Sequence, residues 1–346
     1  MNMKVELPAR IEPLEMHAEW RAADVADPGK WTYRFTVDDI EELDAALNHA
    51  KARVNDVLDI TREFFPVPNL AAVIDRVEDE LINGRGFMRF SGLPMGRYDN
   101  DDAAMIYWGI GMHLGNPWPQ NKYGHLLGDV RDQGKKRGDP TARGNEIGCV
   151  RFPYHTDGSD LVGLMCLRKA KSGGTSTVAN SVRIHNEMVR RRPDLAALLY
   201  QPVIYDMRGE EPPGGKPYYE MPIFTRHRDR VFVRYIRTYI ESARRHPEVP
   251  PLAPEYIEAF DMVDGLANDP DFNVYMDFEP GDMQFVNNYH VLHARTAYED
   301  YPELDRKRFL KRLWLETRKL SDRPTHFQLQ NSAKAWWSSK GRTKAS

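Results

Sequence analysis

The second half of this chain consists of short apolar runs separated by turn residues. The clearest runs cover residues 161–167, 231–236, 274–278 and 283–286. Each is bounded by Gly, Pro or Asp, which favour turns because of their backbone conformations. Many short strands with turn residues between them are typical of a β-sandwich or barrel. The pattern therefore predicts a mainly β protein.

Apolar residues at helical spacing predict helices that flank this β region. The first helix is expected to begin at Val37. The others are expected to cover 70–81, 99–114, about 184–200 with a break near Pro193, and 254–266. A short strand is predicted at 87–90, after two glycines. We expect residues 1–80 to form an N-terminal helical extension packing on a core of residues 81–320, followed by a C-terminal tail, 321–346. The polar stretch 115–148 predicts a lid loop.

Charge and composition exclude several classes of partner. The chain has 48 Lys and Arg against 51 Asp and Glu, a formal charge of −3, so we expect neither nucleic acid nor an anionic membrane as partner. No stretch has the roughly 18 apolar residues of a membrane span. Cys149 and Cys166 form no CxxC pair and predict two buried, reduced thiols. Together these features predict a cytoplasmic protein.

One segment carries a candidate metal motif. His155 and Asp157 stand two apart before an apolar run, so on an extended backbone both side chains project to the same side. A third ligand is expected far downstream, where His290 and His293 are both available. Two imidazoles and one carboxylate form the ligand set of non-haem iron(II) oxygenases. The residues alone therefore predict an iron site with its third ligand still open.

Basic residues follow the second histidine segment. A strand over 306–315 would place Arg308, Leu310 and Arg312 on one face. An inward arginine offers two parallel donors to a carboxylate. This pattern predicts a clamp for a dicarboxylic co-substrate.

These motifs together resemble the taurine dioxygenase (TauD/TfdA) superfamily of iron(II) and 2-oxoglutarate-dependent enzymes. The resemblance extends from about residue 70 to 315. Its motifs are the HTD at 155–157, the HxR at 293–295, the RxxxR at 308–312, the GRGFMRFSGLP at 84–94, the SGGTST at 172–177 and the PGD turn at 280–282.

The resemblance implies a double-stranded β-helix, or jelly roll, with His155, Asp157 and His293 as the catalytic iron ligands. It prefers His293 over His290 because of the spacing to Arg295. It also implies that Arg308 binds 2-oxoglutarate. The interval from His293 to Arg308 is longer than is usual in the family, so Arg306 and Arg312 remain alternatives for that role.

Further roles follow from the same resemblance. Ser176 and Thr177 would assist in binding 2-oxoglutarate. Arg312 would point towards the substrate pocket. Independently of the resemblance, the predicted lid loop offers Trp118 to pack on the substrate and Gln120 and Asn121 to fix a polar group of it.

The expected reaction uses O2 to oxidise a small polar molecule, such as an amino acid or biosynthetic intermediate, with release of succinate and CO2. Hydroxylation is the usual outcome, with desaturation or cyclisation as alternatives. Two other hypotheses are a non-catalytic jelly roll that binds a small molecule and a cupin-type dioxygenase without a co-substrate. The sequence leaves a homo-oligomer open.

Overall fold

A computed structural model describes residues 11–135, 139 and 146–344. Its α-helices are α1 (Val37–Lys51), α2 (Leu70–Ile82), α3 (Asn100–Leu114), α4 (Ser181–Arg191), α5 (Pro193–Leu199), α6 (Arg237–Ser242) and α7 (Pro254–Asn268). Its strands are β1 (Thr32–Arg34), β2 (Phe87–Ser91), β3 (Asn116–Pro117), β4 (His125–Val130), β5 (Phe152–His155), β6 (Leu161–Arg168), β7 (Ser172–Gly173), β8 (Ser176–Asn180), β9 (Pro202–Asp206), β10 (Tyr218–Pro222), β11 (Phe224–His227), β12 (Arg230–Val233), β13 (Asn273–Met276), β14 (Met283–Asn287), β15 (Val291–Arg295), β16 (Tyr298–Glu299), β17 (Phe309–Glu316) and β18 (Thr343–Lys344). No helix in the described ranges is long and apolar enough to cross a membrane.

Two sheets form the core. The large sheet has the order β1-β2-β14-β6-β17-β4-β18, with β3 added beside β17. The small sheet has the order β13-β8-β15-β5. Strands adjacent in these sheets are often distant in sequence, as in the antiparallel pairs β14–β6 and β17–β6. The two facing sheets with flanking helices confirm the predicted jelly-roll core.

Successive side chains of each strand point alternately into the space between the two sheets and towards the helices outside them. On β17, Leu310 and Trp314 belong to a cluster that also contains Val178 of the small sheet. Their neighbours Leu313 and Leu315 point the other way, into a cluster with α1, α2 and α3. The space between the sheets is therefore lined by alternate residues of both.

The outer layers explain why the helices lie where they do. The apolar faces of α1, α2 and α3 cover the large sheet, and those of α4, α5 and α7 cover the small sheet. The capping box of α1 is complete, because Thr36 Oγ1 accepts from the Asp39 amide at 3.1 Å and Asp39 Oδ2 accepts from the Thr36 amide at 2.8 Å. Pro193 opens α5 directly after α4, which confirms the predicted break.

The polar stretch 115–148 differs from the predicted lid loop. Its described part contains β3 and β4, and β4 pairs with β17 in the large sheet. Two adjacent leucines, Leu126 and Leu127, are buried there. This apolar segment is too short to stand out among its polar neighbours. Residues 136–138 and 140–145 of the predicted loop lie outside the described residues.

The C-terminal segment, residues 321–344, packs on the core. It forms a series of short 3-10 turns in which Phe327, Leu329 and Trp337 are buried. Its last strand, β18, pairs in parallel with β4. Both cysteines are free, but Cys149 is exposed, so the prediction of two buried thiols was wrong for that residue.

An ion pair in the interior joins this segment to the start of β6. Asp160 and Arg323 are buried and form a salt bridge. Asp160 also accepts from the Tyr289 hydroxyl at 2.7 Å and from the Thr317 amide at 2.9 Å. Burial raises the pKa of the Asp160 carboxyl to about 7, even though the Arg323 charge lowers it. Arg323 therefore compensates a charge that the interior disfavours.

We expect Arg323→Met to lower the free energy of unfolding by about 3–5 kcal/mol, because it leaves the Asp160 carboxylate unpaired. The substitution raises the folded-state pKa of Asp160 further above its unfolded value, so the folded variant retains a proton to higher pH than the wild type. The stability loss should therefore be larger at pH 9 than at pH 6. Urea denaturation at both pH values measures it.

The matched control is Arg228→Met, which removes an exposed salt bridge to Asp322. Its effect should be about 1 kcal/mol or less at either pH. Equal losses for the two variants would contradict the role given to the buried pair.

Candidate metal centre

Three side chains converge between the sheets at the end of β5. His155 on β5 stands directly opposite His293 on β15 in the antiparallel register, and Asp157 follows two residues after His155. One ligand atom from each lies within 4.8 Å of the others. Asp157 Oδ1 is 3.9 Å from His155 Nε2, and its Oδ2 is 3.9 Å from His293 Nε2. His290 instead lies buried in the turn before β15, near the Asn287 amide.

The protonation of these groups suits a metal. His155 Nδ1 lies 3.0 Å from the Pro153 carbonyl, and a proton shared there leaves Nε2 available as a ligand. Burial lowers the pKa of His155 and lowers that of His293 to about 3, so both imidazoles are neutral. Burial alone would raise the pKa of Asp157, but the Arg312 charge and the hydrogen bond from Trp314 bring it below its ordinary value. Two neutral imidazoles and one carboxylate form the facial triad of non-haem iron(II) sites.

The carboxylate of Asp157 is oriented by two residues of β17. Trp314 Nε1 donates to Asp157 Oδ2 at 2.9 Å, and Arg312 Nη1 lies 3.4 Å from the same oxygen. Arg312 is oriented in turn by Gln120, whose Oε1 accepts from Arg312 Nε at 2.8 Å. The buried Gln120 amide also donates to the Arg312 carbonyl at 2.9 Å. These contacts fix the carboxylate relative to the large sheet.

The backbone of the HTD segment is held from two other elements. Asn288 Oδ1 accepts from the Asp157 amide at 2.9 Å. The buried Arg234 donates through Nη1 to the carbonyls of Thr156, at 3.0 Å, and Asp157. Metal sites depend on such supporting contacts because they set the direction of each ligand.

Arg308, which precedes β17, is buried beside Tyr298 and Arg295. Arg308 is 5% exposed, and its Nη1 has no hydrogen-bond partner among the described residues. Its guanidinium carbon lies 5.3 Å from the centre of the Tyr298 ring, and that of Arg295 lies 4.6 Å from the same ring. Burial and the Arg295 charge lower the pKa of Arg308 to about 10. Such a guanidinium is suited to an anionic partner.

Gly174 makes room for this arginine. Its φ is +75°, and a Cβ at that position would lie 3.2 Å from Arg308 Nε. Only glycine meets both conditions without strain. The Gly-Gly pair therefore shapes the pocket around Arg308.

The two hydroxyl residues after the glycines face opposite ways. Ser176 lies on the interior face of β8, opposite Arg295 in the register, and its Oγ donates to Gln284 Oε1 at 3.0 Å. Thr177 points into the outer layer, where it forms a hydrogen bond with the Tyr154 hydroxyl. The structure thus brings Ser176, but not Thr177, to the interior, because neighbouring strand residues alternate.

Comparisons with known proteins agree with this geometry. Residues 56–314 match the family described as "Taurine catabolism dioxygenase TauD, TfdA family". FR-33289 synthase of Streptomyces rubellomurinus is 32% identical over 327 residues, which cover 91% of this chain and 93% of the synthase. The chain belongs to the TauD/TfdA family. It is a non-haem iron oxygenase of the class that uses 2-oxoglutarate.

Solved structures of similar fold include two oxygenases. An asparagine oxygenase in complex with Fe(II), 3-hydroxyasparagine and succinate has a TM-score of 0.64 at 17% identity, covering 85% of this chain and 97% of that one. The oxygenase OrfP, in complex with Fe and alpha-ketoglutaric acid, has a TM-score of 0.61 at 16% identity, with the same coverage. At these identities the likeness concerns the fold.

The remaining residues that the sequence predicted for the site of this TauD/TfdA chain lie in different parts of the structure. Arg306 lies at the surface, 3.5 Å from Glu303 and stacked on Tyr301. Trp118 is buried between the sheets, and its amide donates to the Trp314 carbonyl at 2.8 Å. Asn121 Oδ1 accepts from the amides of residues 123 and 125 within its own turn. The structure therefore brings neither Arg306 nor Asn121 to the metal ligands.

Sequence analysis missed three residues that support the ligands. Trp314 stands two residues after Arg312, so strand alternation could have placed it on the same interior face. Asn288 and Arg234 contact the HTD segment from distant parts of the chain, and no local pattern marks them.

We expect Trp314→Phe to weaken iron(II) binding by about tenfold or more, because the ring remains while the donor to Asp157 is lost. Anaerobic titration with iron(II) measures this. The control is Trp108→Phe, since Trp108 Nε1 donates to the Ile60 carbonyl at 3.0 Å within the cluster formed by α1, α2 and α3. Similar affinities for Trp314→Phe and the wild type would contradict the orienting role of Trp314.

Proposed function

We propose that His155, Asp157 and His293 hold iron(II), that Arg308 binds the distal carboxylate of 2-oxoglutarate, and that the enzyme oxidises an unactivated carbon of a small polar molecule. The observation that carries this proposal is the buried guanidinium of Arg308, whose Nη1 has no hydrogen-bond partner in the part of the chain that the structure describes. A buried cation without an anion is costly, and a dicarboxylic co-substrate supplies that anion.

The spacing along β17 supports this division of roles. Arg308 and Arg312 are four residues apart on the same face, or roughly 13 Å along an extended strand. Arg312 lies beside the metal carboxylate, whereas Arg308 lies beside Gly174 and Tyr298. Arg308 is thus placed for the far end of the co-substrate and Arg312 for groups near the metal. We propose that Ser176, which faces the interior opposite Arg295, assists Arg308.

The protein contributes orientation and the exclusion of water. When bound, iron(II) with 2-oxoglutarate supplies the activation of O2 and the oxidation of the substrate carbon, with succinate and CO2 as by-products. Trp314 and Arg312 hold Asp157 in one direction, and the apolar interior cluster around Leu310 and Val178 keeps water from the site.

Two observations support the substrate class that we propose: the ligands in structures of similar fold and the basic residues beside the metal ligands. The complexes of similar fold contain hydroxylated amino acids, 3-hydroxyasparagine in one and 3-hydroxyarginine in another. Basic groups beside the metal ligands, Arg234 and Arg312, favour a molecule with an acidic group. We therefore propose an amino acid or a related acidic metabolite as substrate, with hydroxylation as the outcome.

We expect anaerobic addition of iron(II) and 2-oxoglutarate to give the visible charge-transfer band of a chelated keto-acid. Arg308→Met should raise the 2-oxoglutarate concentration needed for half of the band by about 100-fold or more, since a charge-assisted hydrogen bond is lost in a buried pocket. His293→Ala should abolish the band.

Arg306→Met is the control, because Arg306 is exposed and lies in the same loop. It should leave the band unchanged. A band that is indifferent to His293→Ala would contradict the metal assignment, and one that is indifferent to Arg308→Met would contradict the clamp.

We further expect one or more acidic small molecules to stimulate succinate release well above the rate without substrate. Mass spectrometry of the product should show the gain of one oxygen atom. A loss of two hydrogens instead would indicate desaturation or cyclisation. Stimulation by macromolecules alone would contradict the small-molecule proposal.

A further inference from the structure

An arginine in the wall of the metal cavity is buried among neutral oxygens. Arg234 lines the same cavity as His155 and Asp157, and only 6% of its surface is exposed. Its Nη1 donates to the backbone carbonyls of Thr156, at 3.0 Å, and Asp157, and its Nη2 donates to the Tyr219 hydroxyl at 3.3 Å. Within the described ranges, no carboxylate forms a salt bridge with this guanidinium. A buried cation of this kind is stabilised by an anion.

The other arginine of this cavity is already paired. Arg312 Nε donates to Gln120 Oε1 at 2.8 Å, and its Nη1 lies 3.4 Å from Asp157 Oδ2. Its charge therefore compensates that of the metal carboxylate. The family resemblance directs Arg312 to the substrate, but these contacts engage it in orienting a metal ligand. Arg234 is better suited to an anionic ligand, because Asp157 contacts it through a backbone carbonyl.

The position of Arg234 is fixed through its backbone. This residue directly follows β12, its amide donates to the Ile223 carbonyl at 2.8 Å, and its carbonyl accepts from the Tyr205 hydroxyl at 2.6 Å. The Tyr205 ring also stacks on that of Tyr219, with the ring centres 5.2 Å apart. The guanidinium thus has a defined position before a ligand binds, which lowers the entropic cost of recognition.

A glycine leaves space beside this guanidinium. Gly158 lines the cavity, and a Cβ at its position would lie 3.8 Å from Arg234 Nη2 and 3.4 Å from the Trp314 ring. Its missing side chain leaves room between the two residues for a group of the substrate. The hydrogen bonds of the Arg234 side chain to other described residues use Nη1 and one N–H of Nη2. Its Nε and the second N–H of Nη2 therefore remain for that group.

We propose that Arg234 binds an oxoanion of the substrate, a carboxylate or a phosphoryl group, in the space beside Gly158. The proposal rests on the proposed function, because it assigns this cavity to the substrate. A planar guanidinium offers parallel donors to either oxoanion. Arg234 is then the residue that determines the selectivity for acidic substrates, while Arg312 serves the metal carboxylate.

Binding of small anions tests this assignment. The wild type is loaded anaerobically with iron(II) and 2-oxoglutarate, so that the Arg308 pocket is already filled. Acetate, methylphosphonate and the neutral acetamide are then titrated, with tryptophan fluorescence as the signal, since Trp314 lines the cavity. We expect the preferred anion to bind about tenfold more tightly than acetamide, or better. Preference for acetate would identify a carboxylate as the group recognised, and preference for methylphosphonate a phosphoryl group.

Arg234→Gln removes the charge and should weaken binding of the preferred anion by about tenfold or more. The matched control is Arg230→Gln on β12. Arg230 also donates to neutral oxygens, those of Ile82 at 3.2 Å and Asn83 at 2.7 Å, but it does not line the cavity. Its variant should stay within about threefold of the wild type. Unchanged binding in Arg234→Gln, as expected for an anion bound to the metal alone, or a wild type that binds neither anion, would overturn the proposal.

A second variant makes the test independent of the contacts between Arg234 and the HTD backbone. Gly158→Ala leaves the Arg234 side chain intact, and its methyl group should occupy the proposed anion space. We expect anion binding to weaken by about fivefold or more while the charge-transfer band is retained. If Arg234→Gln loses the band, the result for Gly158→Ala decides, and unchanged anion binding in that variant would contradict the proposal.

The charge-transfer band separates this test from that of the proposed function. A wild type without the band would contradict the proposed function. A wild type with the band, whose anion binding is unchanged by both Arg234→Gln and Gly158→Ala, would contradict the role of Arg234 alone.

Discussion

The register of one antiparallel strand pair determines the metal centre. His155 and His293 are distant in sequence, and only the alignment of β5 with β15 sets them opposite one another. A slip of one residue would turn His293 away from the interior and leave the two residues of the HTD motif without a partner. The apolar outer face of β15 resists such a slip, since Leu292 and Ala294 pack against the outer helices. Apolar packing on one side of the strand thus secures the chemistry on the other.

The interior of the jelly roll combines apolar packing with buried polar and charged side chains, which an apolar environment ordinarily disfavours. Most of it is a cluster of apolar and aromatic side chains, yet it also contains Arg308, Ser176 and Gln284. Burying a guanidinium lowers its pKa and costs free energy unless an anion accompanies it. In our proposal the co-substrate is that anion, so the pocket is at its most stable when it is filled. The same low polarity strengthens the pairing once it forms.

Much of the fold could be predicted from the sequence because it depends on local patterns. Helical periodicity located α1, α2, α3 and α7 to within a few residues, and Pro193 marked a real break. The motifs together predicted the three metal ligands, which the structure brings to one place. The role of Arg308 in binding the co-substrate stays a prediction. Strand β4 could not, because its apolar residues are few and its stability comes from pairing with β17. Nor could Asn288, which reaches the Asp157 amide from a distant part of the chain.

The long interval between His293 and Arg308 has a consequence for how such enzymes vary. Arg308 directly precedes β17, and the pairing of β17 with β6 fixes the position of this arginine. The number of residues between His293 and Arg308 does not. The intervening loop can therefore gain or lose residues during evolution with little effect on the pocket. A single deletion between Arg308 and Arg312, in contrast, would reverse the alternation on one side of the deleted residue and turn one of the two arginines away from the interior. Relatives should thus differ freely in the length of this loop while the strand stays constant.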